Sequence, residues 1–407
     1  MRGGKRGGWY AWFGVVSLAA GTVCAAPEDG NRFTAFAADQ FSVDDNLYRL
    51  PDGIDDLRFL VGPDATRQDH LNAVSAGAEG QWTFGRQALV FDLRADRNHY
   101  SHNGALDNTS GRGRLAWNWR AGPRWTGEAG ASYSRTLAGF ANTRFLRRDL
   151  IDRREYFASG RLRLGPRWSV KGGVERGETT HGVTQRRGDD FRSSAVNAGV
   201  EYTTPRADTF GWNYHYARAR FPQGSTPGGA PFDRDYDDSS AQLLTRYALS
   251  GKTRLDASGG YLRRRYANGV AGNFSGGTWR ATLKWEPSAK TELDVAAWRE
   301  LSAYQEAESD YFVARGVSMT PAWMPTSRLA FAARGSWIRQ EYLGSNPAVT
   351  AFVARSDRLR TAQASLTYAP RVRLKLQLVY RYEQRDSTRE LYTYDDRVAA
   401  ASVRFTF

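Results

Sequence analysis

The chain has 407 residues, a formal net charge of +14 and 13% aromatic residues. Outside the N-terminus, no apolar run approaches the roughly 20 residues that a membrane helix needs, which excludes a helical membrane protein. The only cysteine is Cys24, so a disulfide framework is excluded as well.

The N-terminus has the pattern of a secretory signal. Arg2, Lys5 and Arg6 precede a short apolar run, and Val23-Cys24-Ala25 is a small-residue cleavage site. We predict a signal peptide over 1–25 and a single mature domain over 26–407; a membrane anchor is the alternative. Loss of the three basic residues lowers the formal charge from +14 to +11, and loss of Cys24 excludes a thiol nucleophile or a cysteine metal site.

Short turns rich in Gly, Pro and Ser recur along the rest of the chain. Their centres are spaced 37 to 45 residues apart, at positions 85, 123, 166, 206, 251, 288, 325 and 370. Longer polar connections lie between them, at 49–68, 102–112, 138–152, 181–191, 222–237, 267–274, 305–309, 343–356 and 387–393. Each interval is long enough for two membrane-length strands and a loop.

This alternation predicts an all-β fold, a closed antiparallel transmembrane β-barrel of about 18 strands with short periplasmic turns and longer extracellular loops. The first strand is predicted at roughly 32–45. A propeller shares the period, but its repeats contain four short strands. An open sheet is disfavoured because lipid cannot pair its edge groups.

The predicted strands have one apolar and one polar face. In Val372–Arg385, apolar side chains occupy every second position, with Arg, Lys, Gln and Glu between them. A barrel would turn the apolar face to lipid, whereas a sandwich would bury it. Aromatic residues near the strand ends are expected to form membrane-interface girdles: Trp82, Trp125, Trp168, Trp212, Trp285 and Tyr368.

The chain ends with apolar residues at alternate positions, Ala399, Ala401, Val403, Phe405 and Phe407. This resembles the C-terminal strand signal by which bacterial barrel proteins are recognised for outer-membrane assembly. We therefore expect the outer membrane of a Gram-negative bacterium as the location, with outer-membrane lipids and the barrel assembly machinery as partners.

The sequence contains no recognisable catalytic or metal-binding motif. None of the five histidines falls in a serine elbow or at HExxH spacing, and the acidic stretches at 44–56 and 233–238 do not match an EF-hand. We expect no enzyme, no cofactor and no metal. A Ser/His pair assembled by the fold stays open as an alternative.

The polar faces are rich in arginine. Counted by alternation, seventeen basic and ten acidic side chains point into the barrel. We expect this surplus to favour an anionic passenger, because arginine binds carboxylate, sulfate and phosphate bidentately. The candidate contact residues are Arg114, Arg120, Arg161, Arg163, Arg254, Arg280, Arg334, Arg373 and Arg381. Nucleic acid is not expected, because the signal sequence directs the chain out of the cytoplasm.

The stretch DDNLYRLPDG resembles the DDNLFRLP signature of EpsL-type outer-membrane proteins, which are associated with exosortase-B exopolysaccharide loci. Its motif residues are Asp44, Asp45, Asn46, Leu47, Tyr48, Arg49, Leu50 and Pro51, and Tyr48 replaces the phenylalanine. Looser similarities occur at 122–125, 165–168, 199–205, 249–265, 283–301 and 385–387.

The resemblance implies an outer-membrane barrel in biosynthesis or export of an extracellular polysaccharide, working with periplasmic polysaccharide export proteins. It implies no catalytic residues. Two alternatives remain at this stage. One is a general or oligosaccharide-uptake porin, and the other is a non-conducting barrel whose loops bind polysaccharide or an export partner.

Overall fold

The computed structural model describes residues 31–54, 56–58, 60–223, 234–267, 273–306, 309–343 and 355–407, so the predicted signal peptide lies outside it. These residues form eighteen strands: β1 Arg32–Asp44, β2 Asp69–Phe84, β3 Gln87–Tyr100, β4 Asn108–Ala121, β5 Trp125–Leu137, β6 Leu150–Arg163, β7 Trp168–His181, β8 Phe191–Thr203, β9 Thr209–Arg220, β10 Tyr236–Ser250, β11 Thr253–Tyr266, β12 Phe274–Ser288, β13 Thr291–Glu306, β14 Ser309–Thr326, β15 Leu329–Leu343, β16 Ser356–Arg371, β17 Leu374–Ser387 and β18 Tyr394–Thr406. Three short 3-10 helices lie in the connections, at Gly104–Leu106, Thr184–Asp189 and Glu390–Tyr392. Among the described residues, no helix has the length and apolar character required to cross a bilayer.

The strands close into one antiparallel barrel, as predicted. Each strand pairs with its neighbours in the sequence, and β1 pairs with β18 to complete the ring. The closing register places Phe36 opposite Thr406 and Asp44 opposite Val398. No strand edge is therefore left unpaired in the sheet, which is what a lipid environment demands.

One end of the barrel, here the turn end, carries the eight short connections. The other, the loop end, carries longer ones, among them L1 (45–68), L2 (101–107), L3 (138–149) and L9 (388–393). The first β-strand ends at Asp44, close to its predicted limit. Gly122 adopts φ +60° in the turn before β5, a conformation that favours glycine.

Three turns lie two residues later than predicted, at 289–290, 327–328 and 372–373. The prolines that suggested the earlier positions, Pro287, Pro325 and Pro370, lie inside the last residues of their strands. At each one the register shifts, between Trp285 and Ser288, Trp323 and Thr326, and Tyr368 and Arg371. Proline has no N–H to donate, so it is tolerated at such bulges.

The two faces of the sheet differ as the alternation predicted. Large apolar side chains point outward. In the protein without lipid they are exposed, as are Leu115 (50%), Trp117 (45%) and Leu378 (55%). The six predicted girdle aromatics also lie on this outward face near the turn end, and all are exposed. Side chains at the intervening positions point into the lumen.

Candidate functional site: the loop cluster and the charged lumen

Loop L1 begins with the DDNLYRLP motif, and Asn46 closes its first turn. The Asn46 side-chain amide donates to the Leu50 carbonyl (2.8 Å), while its oxygen accepts from the Leu50 N–H (2.9 Å). The same amide donates to the Asp395 carbonyl on β18 (2.8 Å). Asn46 therefore shapes the turn and attaches it to the last strand.

Arg49 fixes L1 against the inner wall. Its guanidinium contacts Asp44 through two nitrogens, each 3.0 Å from a carboxylate oxygen, and lies 3.0 Å from a carboxylate oxygen of Asp396. Burial lowers the pKa of Arg49, but the two carboxylates outweigh it, so the net pKa is raised and the charge is retained. Because Asp44 and Asp396 are inward residues of β1 and β18, L1 lies on the lumen side.

Asp44, Asp45 and Asp396 bring their carboxylates within 4.8 Å of one another, a grouping that could hold a cation. The Arg49 guanidinium contacts two of the three, and the Asp45 carboxylate accepts from the Arg397 N–H (2.7 Å). Positive charge is thus supplied by the protein itself at this position.

The remaining motif residues build a small apolar core. Tyr48 (2% exposed) and Leu50 (0%) pack with Leu57, Tyr100, Leu106, Phe140 and Leu146, which we call the loop core. The Tyr48 and Phe140 ring centroids are 5.0 Å apart. Leu47 packs against this core, and Pro51 is buried.

Tyr48 also joins L1 to L2. Its hydroxyl donates to the Asn103 side-chain oxygen at 2.9 Å, and the Asn103 amide donates in turn to Asp69 (2.8 Å). Burial, together with the Asp69 charge, raises the pKa of Tyr48 to about 12. The hydroxyl thus stays protonated and keeps its hydrogen bond at ordinary pH.

Loop L3 bridges the barrel mouth. It leaves β5 and contacts β17, six strands away around the ring, where Arg385 donates to the Ala141 carbonyl (2.5 Å). Arg144 of L3 donates to the Arg49 carbonyl (3.2 Å) and to Leu391 of L9, and lies 4.4 Å over the Tyr392 ring. L1 and L3 therefore cover the loop end over the sector from β17 to β6.

Next to this bridge, two arginines share one aspartate. Asp357 is fully buried, 2.7 Å from Arg355 and 3.8 Å from Arg385, and accepts from the Tyr342 hydroxyl (3.2 Å). Arg355 lies 3.4 Å over the Tyr392 ring. These residues stand where predicted strands give way to loops, so the alternation of residue types does not mark them.

The motif residues are mostly inaccessible in this arrangement. Asn46, Tyr48 and Leu50 are each no more than 2% exposed, so their side chains are engaged with the protein. The buried motif side chains hold L1 in position through these contacts.

Eight of the nine candidate arginines occupy inward positions of the strands, and Arg373 lies on the last turn. Five of the eight pair with an acid: Arg114 with Glu128, Arg161 with Glu201 (2.8 Å), Arg254 with Asp256 (3.1 Å), Arg280 with Glu300 (2.7 Å) and Arg381 with Asp396 (3.1 Å). Arg120, Arg163 and Arg334 have no acidic partner among the described residues.

The prediction that basic side chains clearly outnumber acidic ones on the inner wall is wrong. The alternation missed inward acids: Asp44, Asp69, Asp96, Asp238, Glu300, Asp357 and Asp396. It also missed inward arginines such as Arg94, Arg112 and Arg264, and it placed on the wall four arginines that lie on turns: Arg124, Arg167, Arg328 and Arg373. Most acids were missed because they stand at loop-end strand limits. The wall is therefore close to charge balance.

Positive charge is concentrated instead at the turn end. Each of the eight turns carries one exposed basic residue: Arg86, Arg124, Arg167, Arg206, Lys252, Lys290, Arg328 and Arg373. We call this set the basic ring. The one acid in these turns, Asp208, is 5% exposed and accepts from the Ala248 N–H (2.9 Å). Arg120 and Arg163 stand on the inner wall beside the ring.

Residues 59–407 match the model of a family described as "Putative beta-barrel porin 2". A sequence search of curated proteins finds no match.

Solved structures of similar shape come from Pseudomonas aeruginosa. OccK9 (OpdG) is 12% identical, with a TM-score of 0.51 over 93% of this chain and 98% of that chain. OccK2 (OpdF) is 13% identical, with a TM-score of 0.50 over 92% and 98%. OccK2 in complex with glucuronate is 12% identical, with a TM-score of 0.50 over 92% and 98%. At these identities the likeness is one of fold.

Proposed function

The chain belongs to the "Putative beta-barrel porin 2" family, and on that premise we propose that it is a channel for anionic saccharides. It is a porin-like barrel of the Gram-negative outer membrane, so the turn end faces the periplasm and the loop end the exterior. An eighteen-stranded barrel is wide enough to hold an aqueous channel.

The observation that carries the proposal is the basic ring. Eight exposed cationic side chains surround one mouth, and the single acid among the turns is buried. Their fields add, so the local concentration of anions at this mouth rises. Arg120, Arg163 and Arg334 continue the positive charge along the inner wall, since no described acid neutralises them.

The passenger class follows from the arginine chemistry. Guanidinium groups bind carboxylates bidentately, so a sugar acid such as a uronate fits the ring and the unpaired wall arginines. A barrel of similar fold, OccK2, has been crystallised with glucuronate, which motivates the choice of a uronate as the test ligand.

Export of an acidic exopolysaccharide is the second candidate. It is favoured by the position of the ring, because an exported polymer would enter from the periplasm and meet the ring first. In that case periplasmic export proteins would deliver the polymer. Uptake of oligosaccharides would instead begin at the loop end, where L1 and L3 cover part of the mouth.

The test is planar-bilayer recording of the refolded full chain, with galacturonate oligomers added to one side at a time and neutral maltooligosaccharides of equal length as the comparison. We expect an anion-selective pore that the acidic oligomer blocks about tenfold more readily than the neutral one, a size typical of electrostatic steering. Stronger block from the periplasmic side would favour export, and stronger block from the outside would favour uptake.

The decisive variant replaces the eight ring residues with glutamine and should lose the preference for the acidic oligomer. The matched control replaces eight outward arginines with glutamine: Arg97, Arg135, Arg154, Arg176, Arg192, Arg218, Arg220 and Arg263. It removes the same charge from the lipid side and should conduct like the wild type. Absence of conductance, or equal block by both sugars in the wild type, would refute the proposal.

A further inference from the structure

The outward face of the barrel is not apolar along its whole height. Toward the loop end it carries fifteen arginines and no lysine among the described residues: Arg97, Arg135, Arg154, Arg176, Arg192, Arg218, Arg220, Arg263, Arg265, Arg299, Arg315, Arg339, Arg358, Arg360 and Arg397. Fewer acids share this level, among them Asp152, Glu178, Asp237 and Glu341. These arginines point away from the lumen.

Four of them form an uninterrupted row across adjacent strands. Arg299 of β13 stands opposite Arg315, Arg315 opposite Arg339, and Arg339 opposite Arg358. We call this row the arginine ladder. Like charges placed directly opposite one another destabilise a sheet, so such a row requires negative charge from elsewhere.

The protein supplies only part of that negative charge. Glu341 lies 3.2 Å from Arg339 and 3.7 Å from Arg315. Asp386, opposite Arg358, forms its ion pair with Arg360 at 3.8 Å. Among the described residues Arg358 has no ion pair, and its side chain is exposed. The ladder therefore keeps a net positive charge that points toward the membrane.

Below the ladder, toward the turns, the same strands present an apolar wall. Val317 (50% exposed), Met319 (52%) and Trp337 (42%) lie on the outward face. A ligand seated here would meet guanidinium groups at its head and apolar surface along its tail. This is the profile of a lipid with an anionic headgroup.

We propose that the arginine ladder binds the phosphate groups of a phosphorylated glycolipid of the outer leaflet, of the lipid A type, with its acyl chains against Val317, Met319 and Trp337. Arginine suits this role because its planar fork binds phosphate bidentately. The ladder lies on the extracellular side, where the outer leaflet contacts the barrel. This site is independent of the proposed channel function.

The test titrates the full-length barrel in zwitterionic detergent with bis-phosphorylated lipid A and counts bound lipids by native mass spectrometry. Dephosphorylated lipid A and inorganic phosphate are the comparison ligands. We expect the phosphorylated lipid to bind, the dephosphorylated lipid to bind about tenfold more weakly or worse, and inorganic phosphate at equal concentration not to displace it. Displacement by inorganic phosphate would mean a free-anion site and would overturn the proposal.

The variant Arg299→Gln/Arg315→Gln/Arg339→Gln/Arg358→Gln should lose the phosphate preference. The control Arg97→Gln/Arg135→Gln/Arg192→Gln/Arg218→Gln removes equal charge from the same face and should keep it; equal loss in both variants would overturn the proposal. Retained gel mobility without heating reports folding. If the fourfold variant fails to fold, Arg315→Gln/Arg358→Gln provides the same test with a smaller loss.

Discussion

The two ends of the barrel use charge in opposite ways. On the lumen side of the extracellular end, charged side chains such as Asp357 and Asp396 are buried and contact particular partners, as Arg49 contacts Asp44 and Asp396. At the periplasmic end, the eight ring residues are exposed, and each lies in a short turn. The stability of the buried ion pairs depends on the positions of their atoms, whereas the field of the exposed ring depends on the number of charges.

This difference determines which residues tolerate a single substitution. Removal of one partner from a buried ion pair leaves an uncompensated charge, so a single substitution should have a large effect. Exposed charges act through a summed field, so one substitution should change little. The expected effects therefore decrease from the buried contacts of L1 to the exposed residues of the basic ring.

Arg49→Ala should open L1. It leaves Asp44 and the fully buried Asp396 without their shared cation, at a cost of about 3 to 5 kcal/mol to the closed loop. Amide exchange of Asn46 and Leu47 should accelerate by about a hundredfold or more, and the conductance of the pore should rise. The control is Arg58→Ala in the same loop, whose pair with Asp56 is exposed. Equal effects of the two substitutions would contradict the expected difference between buried and exposed ion pairs.

Asn46→Ala should have the next largest effect. It removes three hydrogen bonds and leaves the buried Leu50 N–H without its acceptor, at a cost of about 2 kcal/mol. Amide exchange of Leu50 measures this opening. Asn72→Ala, which removes an exposed hydrogen bond to Asp39, is the comparison and should leave L1 unchanged.

Tyr48→Phe should cost about 1 kcal/mol, because the ring stays in the loop core while the hydrogen bond to Asn103 is lost. The pH dependence has a definite sign. The pKa of Tyr48 is raised from 10.0 to about 12, so its contribution is full below pH 10.0 and is lost as the pH rises through 12. Wild-type conductance should increase across that interval. A Tyr48→Phe pore that shows the same increase would exclude Tyr48 as the cause.

Single substitutions in the basic ring should have the smallest effects. Arg124→Gln and Arg206→Gln should each change barrel stability by less than about 0.5 kcal/mol. Each should lower the anion preference slightly and by a similar amount, because each removes one of eight exposed charges. Reversal potentials in a salt gradient measure this. A large loss from one turn alone would indicate a specific binding site in place of a summed field.

Much of the architecture could be predicted from the alternation of residue types. In β17, apolar residues hold the outward positions from Leu374 to Tyr382, so the strand and its orientation follow from the pattern. The closed barrel follows from the recurrence of short turns and long loops. The predicted positions of Pro287, Pro325 and Pro370 as turns failed, because proline marks a β-bulge as well as a turn.

The site was harder to predict, for two physical reasons. Alternation is lost where a strand passes into a loop, and acids such as Asp357 and Asp396 stand there. In addition, the contacts that explain the motif are distant in sequence, since Asn46 bonds to Asp395 across 349 positions. The arginine ladder depends on the pairing register of four neighbouring strands, which a single sequence does not display.

The attachment of L1 to β18 has a consequence for biogenesis. Three partners of L1, the Asp395 carbonyl, Asp396 and Arg397, lie on β18, the last strand of the barrel. L1 cannot reach its final position until β18 has paired with β1 and the ring has closed. A chain that stalls before its C-terminus would thus carry an unanchored first loop, which offers proteases a way to distinguish unfinished barrels from mature ones.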